Sequence, residues 1–551
     1  METVHELELS LPFLLLFVIL LLFCIVLICQ GLSPLRVIRS SWKAPNRAHI
    51  GLSGSDGERE ALLAVGRKAR VRYSGKVPLY TDTIAQLEAC ETQRETEAFI
   101  KVIDMPRLLN SKVKAQHFAE FCSRLELPML SVSTLTTIIL SLQKYAAERD
   151  VVACIRMCFC SKQAMECLQL KNRVDTKIPM FDLIYHRIRS NDEREAILKH
   201  FDAQAAVLRA APEFFAPLKL LCDIDDTMLA ALFDTRYPEL TVYPGVHQFA
   251  QELLQRSAAL STRSTTQSGF EDATIDSDED EDLEIGSTSA SKKRKPVQRV
   301  AFLTARPELL RRRSLQELRA CGFHHFTLLM GRFANMWGTQ RIASGKLQNF
   351  VRFKRVFAEH RFVFVGDNGQ GDIDLGKELL RNPHLYSVSA VLIHDVIRNH
   401  ITGEPLSQHS YRGKECNQHG IHSFRTYIGA SFHLYKQGIL PLSGVIRVVE
   451  KTALAYAAIV FDTREQKRNL AQEILADVGS VVSELPDQQA MALVSSLHDD
   501  LVGEDDDAQD EGIAQKTGLT QEQQLQQRLE IVRKNAAKST PMAWNNVQEI
   551  V

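Results

Sequence analysis

The sequence carries almost no excess charge of either sign, with 66 Lys and Arg residues against 67 Asp and Glu residues in 551. A strong charge imbalance is what draws a whole chain to nucleic acid, so no nucleic-acid partner is expected. The sequence also lacks paired cysteine spacings, since its 11 cysteines are scattered and odd in number. It therefore predicts no disulfide framework and favours a reducing compartment for the bulk of the chain.

One long apolar run lies at the amino terminus. Leu11 to Cys29 is almost unbroken apolar sequence, close to the roughly 20 residues that cross a bilayer as a helix. Glu2, Glu6 and Glu8 precede it, whereas a cleaved signal peptide begins with basic residues. Basic residues follow the run, and the positive-inside rule then places the rest of the chain in the cytosol. The sequence predicts a single-pass protein of the endoplasmic reticulum or another endomembrane.

Composition and periodicity divide the rest of the chain. The predicted segments are a tether over 30–76, a helical region over 77–217, an α/β domain over 218–444, C-terminal helices over 445–486 and an acidic, Gln-rich tail over 487–551. Residues 261–296 are polar and low in complexity, which predicts a disordered loop inside the α/β domain. Cys154, Cys158, Cys160 and Cys167 could suggest zinc, but the first two lie one helical turn apart in an apolar stretch. Buried thiols are the favoured interpretation.

The chain is organised around the apolar run from Leu218 to Cys222, which stops at three carboxylates, Asp223, Asp225 and Asp226. Such a run predicts a buried strand of a parallel sheet, and these sheets bind ligands just past the carboxyl ends of their strands. Because side chains alternate along a strand, Asp223 and Asp225 can point the same way and share a divalent cation. The alternative, a solvated acidic turn, is disfavoured by the apolar residues just before it.

Two later apolar segments also end in polar groups. The first ends at Thr304, and the second runs into a Gly-rich turn between Asp367 and Asp372. Lys346 begins the helix predicted before the second of these segments, and Lys354 lies in the middle of that helix. Taken alone, the threonine would be structural and each lysine an ordinary surface charge. Four such motifs in order are more specific than any one of them.

The spacing Asp-x-Asp-x-Thr after a strand resembles the first motif of the haloacid-dehalogenase-like phosphatases, and the later motifs resemble the rest in order. From Leu218 to Gly444, the sequence is similar more narrowly to the catalytic domain of the actin-patch-type phosphatidate phosphatases. The segments that carry this likeness are Asp223-Ile-Asp-Asp-Thr227, Tyr237-Pro-Glu239, Tyr243-Pro-Gly-Val246, Val365-Gly-Asp-Asn-Gly369 and Val388 to Val396. The chain has Thr304-Ala-Arg-Pro307 where a Ser-Asn-Ser-Pro-like stretch is usual. The resemblance implies a Rossmannoid parallel sheet.

The resemblance also implies catalytic roles for individual residues. Asp223 would be the nucleophile that becomes an aspartyl-phosphate, and Asp225 the general acid and base. Thr304 and Lys346 would hold the transferring phosphoryl group, with Lys354 as the alternative lysine. The metal implied is Mg²⁺.

Four aspartates are candidate ligands of that metal, Asp223, Asp225 through its backbone carbonyl, Asp367 and, in a supporting role, Asp372. The implied function is hydrolysis of phosphatidate, the phospholipid partner of the site, to diacylglycerol and phosphate at the membrane that holds the anchor. Two alternatives stay open at this point. One is a phosphatase for phosphoproteins or soluble phosphomonoesters, and the other is a scaffold of the same fold without turnover.

Overall fold

A parallel sheet forms the centre of the part of the chain that this computed structural model describes. The described residues are 80–267, 299–332, 338–369, 371–396, 416 and 418–502. The membrane helix expected over 11–29 and the tether expected over 30–76 lie outside these residues. Among the helices that are described, none is long and apolar enough to cross a membrane.

Six parallel strands make up the sheet, in the order β3-β2-β1-β4-β5-β6. They are β1 Leu218–Cys222, β2 Val300–Pro307, β3 Phe326–Gly331, β4 Arg361–Asp367, β5 Val388–His394 and β6 His422–Phe424. The apolar runs are buried on both faces, as expected for a parallel sheet covered by helices. The strand order reverses between β1 and β4, and in such sheets ligands bind at this reversal. An α/β fold with a parallel sheet is thus confirmed.

Short helices fill most of the region before the sheet, which the sequence predicted to be helical. They are α1 Tyr80–Glu88, α2 Gln93–Val102, α3 Met105–Leu108, α4 Lys112–Ser123, α5 Val132–Leu142, α6 Arg149–Cys160, α7 Ala164–Lys177, α8 Met180–Asp182 and α9 Asn191–Ala210. Several begin at a hydroxyl that caps a free backbone N–H, as Ser111 does for Lys114 and Ser190 for Glu193. Cys154, Cys158 and Cys167 are buried free thiols, and Cys160 is half-buried.

Further helices connect and follow the strands. They are α10 Val246–Gln267, α11 Arg311–Ala320, α12 Thr339–Val356, α13 Asp372–Arg381, α14 Pro383–Tyr386, α15 Tyr427–Lys436, α16 Leu442–Ala457, α17 Arg464–Val482 and α18 Asp487–Val502. Helix α10 continues into the segment predicted as a disordered loop over 261–296; residues 268–298 lie outside the described part. Helix α18 begins the segment predicted as a tail, and it buries Leu493 and Leu497 in the core.

Alternate strand residues contribute to two hydrophobic cores. Leu221 and Phe364 belong to the core that includes the helical region, α12 and α13. Leu220 and Val363 belong to the other, which includes α10 and the helices from α15 to α18. Because neighbouring side chains of a strand point to opposite faces, the two cores lie on opposite faces of the sheet. The helical region therefore shares a core with the sheet.

Buried ion pairs join the helical region to the amino-terminal edge of the sheet. From α7, Lys171 Nζ lies 2.7 Å from an oxygen of Glu359, just before β4. Lys219 Nζ in β1 donates to Asp175 Oδ2 of α7 at 2.9 Å. The side chains of both pairs are at most 4% exposed. The lysine that interrupts the apolar run of β1 thus has a partner on α7.

Candidate metal centre

Three buried carboxylates meet at the carboxyl-terminal edge of the sheet. Asp223 directly follows β1, Asp367 ends β4, and Asp372 begins α13. Each offers an oxygen atom, and these oxygens all lie within 4.8 Å of one another. The group sits between β1 and β4, where the strand order reverses. Buried like charges this close are relieved by a bound cation or by a proton, and the arrangement can hold a metal ion.

Lys346 on α12 is the ammonium group that reaches these carboxylates. Its Nζ lies 3.0 Å from Asp223 Oδ2 and 2.5 Å from Asp372 Oδ1. Burial alone would lower the pKa of Lys346, but Asp223, Asp372 and Asp367 raise it above its usual value, so the side chain is charged. Burial and the nearby Arg209 lower the pKa of the alternative, Lys354, and Asp202 opposes them. Helix α12 therefore brings Lys346, and not Lys354, to the carboxylates.

One ammonium does not neutralise three carboxylates, and the pKa values reflect this. Burial raises the pKa of Asp223 to about 7; Lys346 opposes the rise, while Asp372 and Asp225 add to it. Burial, together with Asp372 and Asp223, also raises the pKa of Asp367 well above its usual value. Asp223 Oδ1 is buried and has no hydrogen-bond partner among the described residues. An oxygen in that state fits a metal-ligand position.

Backbone groups fix the orientation of the other two carboxylates. The N–H of Gly369 donates to Asp367 Oδ1 at 2.5 Å, and the N–H of Asp367 donates to Asp372 Oδ2 at 3.3 Å. A Cβ atom on Gly366 would collide with the Asp372 carboxylate. Glycine is therefore a steric requirement at position 366, because only a residue without a side chain leaves room for the Asp372 carboxylate.

Asp225 lies outside this group of three, because its carboxylate pairs with Arg306. The guanidinium donates to Asp225 Oδ2 at 2.9 Å and to Oδ1 at 2.5 Å. The same guanidinium contacts Glu317 Oε2 at 2.5 Å and Ser314 Oγ at 3.1 Å, both on α11. Thr304 is buried in β2, and its hydroxyl oxygen accepts from the backbone N–H of Arg306 at 3.1 Å.

Sequence reasoning missed Arg306 as a site residue. The signal that could have found it is the departure of Thr304-Ala-Arg-Pro307 from the usual form of its motif. A charged residue just past a strand end, at the edge where the acids lie, is a candidate partner for one of them.

The third acid of the first motif, Asp226, has a structural role. It has a φ of +53°, in the left-handed region, where aspartate is one of the better tolerated residues. Its carboxylate accepts from the backbone N–H groups of residues 231–233 at 2.8–3.0 Å. Its carbonyl oxygen accepts from His394 Nδ1 at 2.9 Å. Burial, assisted by Arg236, lowers the pKa of His394 to about 4, so this histidine is neutral.

The site thus combines a buried carboxylate cluster and a charged lysine with the buried hydroxyl of Thr304 in the neighbouring strand β2. This chemistry can bind a cation and neutralise an anion. Comparisons with protein-family models, with curated proteins and with solved structures found no match.

Proposed function

We propose that this chain is a magnesium-dependent phosphatase of the haloacid-dehalogenase-like kind, and that phosphatidate is its substrate. The observation that carries the proposal is the buried cluster of Asp223, Asp367 and Asp372 with Lys346 between two of them. Oxygen-only donors favour a hard cation such as Mg²⁺. When bound, the cation would screen negative charge between the attacking carboxylate and the phosphate.

The nucleophile in this proposal is Asp223. Lys346 holds its Oδ2 at 3.0 Å, which fixes the carboxylate in one orientation and places a positive charge beside the phosphoryl group. The carboxylate attacks phosphorus, the bond to the leaving oxygen breaks, and an aspartyl-phosphate forms. Water then attacks this phosphoryl group and regenerates the carboxylate. The hydroxyl of Thr304, in the neighbouring strand, donates a hydrogen bond to a phosphoryl oxygen.

Asp225 is the acid and base of the proposal, and Arg306 controls its orientation. As acid it protonates the leaving oxygen, and as base it takes a proton from the attacking water. The bidentate pair with Arg306 engages both oxygens of the Asp225 carboxylate and fixes its orientation. Proton donation in the first step requires the pair to open.

Apolar side chains beside the site support a lipid substrate. On the loop between β1 and α10, Leu232 is 62% exposed and Phe233 is 44% exposed. Leu309, just past β2, is 87% exposed. Exposed apolar groups on the loops that follow strands β1 and β2 fit a surface that meets an apolar partner. The membrane anchor expected over 11–29 would add to this by raising the local concentration of lipid.

The test is release of phosphate from phosphatidate in mixed micelles with magnesium. The full chain should be active, the Asp223→Asn variant should lose at least about a thousandfold in rate, and Asp192→Asn, a matched change at an exposed residue of α9, should have no effect. Turnover of a soluble aryl phosphate but not of phosphatidate would replace the lipid with a soluble substrate. Magnesium binding without hydrolysis of either ester would favour a scaffold.

A further inference from the structure

A second cavity lies away from the metal centre, between the helical region and the outer strands of the sheet. Its volume is about 470 Å³, within the range of small-molecule sites. It opens at the carboxyl ends of β2 and β3, whereas the metal centre lies at the ends of β1 and β4. Strands are roughly 4.8 Å apart, so β3 lies about 10 Å from β1 along the sheet. The cavity is therefore a separate site on the same edge.

The lining of this cavity is strongly basic. Among the described residues that line it are four arginines, Arg194, Arg311, Arg332 and Arg352, and one acid, Glu308. Glu308 pairs with Arg311. Among the described residues, no carboxylate lies within ion-pair distance of the other three arginines. Three guanidinium groups without counter-charges around one cavity indicate a site for an anion.

Two aromatic rings also line the cavity. Phe181 and Tyr185 line it, with ring centroids 4.9 Å apart. The guanidinium groups of Arg194 and Arg352 lie 5.7 Å and 5.9 Å from the centre of the Tyr185 ring. Stacking of this kind holds the fork of an arginine in place before a ligand arrives. The Tyr185 hydroxyl is itself buried and has no hydrogen-bond partner in the described part of the chain.

We propose that this cavity binds a phosphate ester of an organic molecule, with the phosphate held by Arg332, Arg352 and Arg194 and the organic part against Phe181 and Tyr185. Planar guanidinium groups match phosphate oxygens in bidentate pairs, which favours phosphate over a simple halide. The volume exceeds what a bare phosphate ion fills, and the aromatic wall gives the remainder of the ligand an apolar contact. The ester is a soluble metabolite or the headgroup of a lipid. The proposal does not depend on hydrolysis at the metal centre.

The experiment compares two arginine-to-alanine pairs in the full chain. Arg332→Ala with Arg352→Ala removes two exposed cavity arginines, and Arg312→Ala with Arg319→Ala removes two exposed arginines of α11 outside the cavity. Each protein is titrated calorimetrically with glycerol 3-phosphate, and separately with detergent micelles containing phosphatidate or phosphatidylcholine. Magnesium is left out, because the metal-free carboxylates at the other site then repel phosphate. Equal melting temperatures establish that both pairs are folded.

We expect binding to weaken at least tenfold in the cavity pair and to stay unchanged in the α11 pair. Loss with glycerol 3-phosphate identifies a soluble ligand, and loss only with phosphatidate micelles identifies a lipid headgroup. A third pair, Arg332→Lys with Arg352→Lys, keeps the charge and should lose part of the affinity, because lysine cannot bind in the bidentate manner. Equal binding by all the proteins to every probe overturns the proposal.

Discussion

The two edges of the sheet both bury charged side chains, and they do so in opposite ways. At the amino-terminal edge, each buried carboxylate has its own lysine, in the pairs Lys171–Glu359 and Lys219–Asp175. At the carboxyl-terminal edge, three buried aspartates share the single ammonium of Lys346. The first arrangement is balanced, while the second leaves two negative charges unmatched, the charge that one divalent cation supplies.

This difference distinguishes buried charges that are structural from buried charges that can bind a ligand. Burial alone would raise the pKa of Glu359, but Lys171 and His360 hold it below its usual value. Burial does raise the pKa of Asp223, to about 7, because Lys346 cannot offset its acidic neighbours. A matched pair is complete within the fold. An unmatched cluster costs stability unless a cation binds, and clusters of this kind mark functional sites.

The largest expected effect comes from removing one lysine at each edge. Lys346→Met and Lys171→Met should each lower the free energy of unfolding by about 3–5 kcal/mol, because each leaves a buried carboxylate without its cation. Magnesium should stabilise Lys346→Met by more than it stabilises the unmutated protein, because it replaces the lost positive charge. Lys171→Met keeps its metal centre and should gain only what the unmutated protein gains. Denaturant unfolding with and without magnesium measures both. The comparison fails if magnesium raises the free energy of unfolding of the two variants by the same amount.

Magnesium should also stabilise the unmutated protein. At a concentration one hundred times its Kd, a ligand that binds only the folded state adds about 2.7 kcal/mol. This gain should disappear in Asp367→Asn, which removes one carboxylate of the cluster, and persist in Glu359→Gln at the opposite edge. Thermal unfolding in magnesium and in a chelator is the measurement. A gain of equal size in both variants would place the cation elsewhere.

The third expected effect is a slope in stability against pH in the absence of metal. Asp223 has a pKa of about 7 in the folded protein against an ordinary value of 3.8, so between these values the folded state binds the extra proton. Stability should therefore fall as pH rises from about 4 to 7, by at most about 1.4 kcal/mol per pH unit. Asp223→Asn should reduce this slope and leave the part contributed by Asp367, whose pKa is also raised.

Glu359 should change stability with pH in the direction opposite to that of Asp223. Its pKa is depressed from 4.5 in the folded state, so its stabilising contribution is present above about pH 4.5 and is lost as pH falls. Glu359→Gln should therefore remove an acid-side loss and leave the slope near neutrality unchanged. Chemical denaturation at a series of pH values in a chelator separates the contribution of Asp223 from that of Glu359. A neutral-side slope of undiminished size in Asp223→Asn would mean that Asp223 does not titrate in this range.

The sequence alone predicted those site residues that directly follow a strand. An apolar run followed directly by acids predicts a parallel strand with carboxylates at its mouth, and the structure has Asp223 and Asp367 at the ends of adjacent strands. It left Lys346 and Lys354 as alternatives, because the face that a helix turns to the sheet depends on packing. The ion pairs at the amino-terminal edge could not be predicted either, because 188 residues separate Lys171 from Glu359.

Composition gave an incomplete prediction for the C-terminal segment, where hydrophobic periodicity was weak. The acidic sequence after Asp487 predicts a tail, yet Leu493 and Leu497, one turn apart, anchor α18 to the core. The arginine cavity also escaped prediction, since Arg194 and Arg332 come together only when the helical region packs on the sheet.

The buried pairs at the amino-terminal edge also determine how the molecule responds to cutting. A protease that cleaves between α9 and β1, near the half-exposed Phe215, would sever the peptide chain without separating Lys171 from Glu359 or Asp175 from Lys219. Each fragment alone would expose the apolar surface of the core that the helical region shares with the sheet, so neither half is a self-sufficient folding unit. The nicked halves should co-elute as a complex, and coexpression of the two halves should reassemble what neither forms alone.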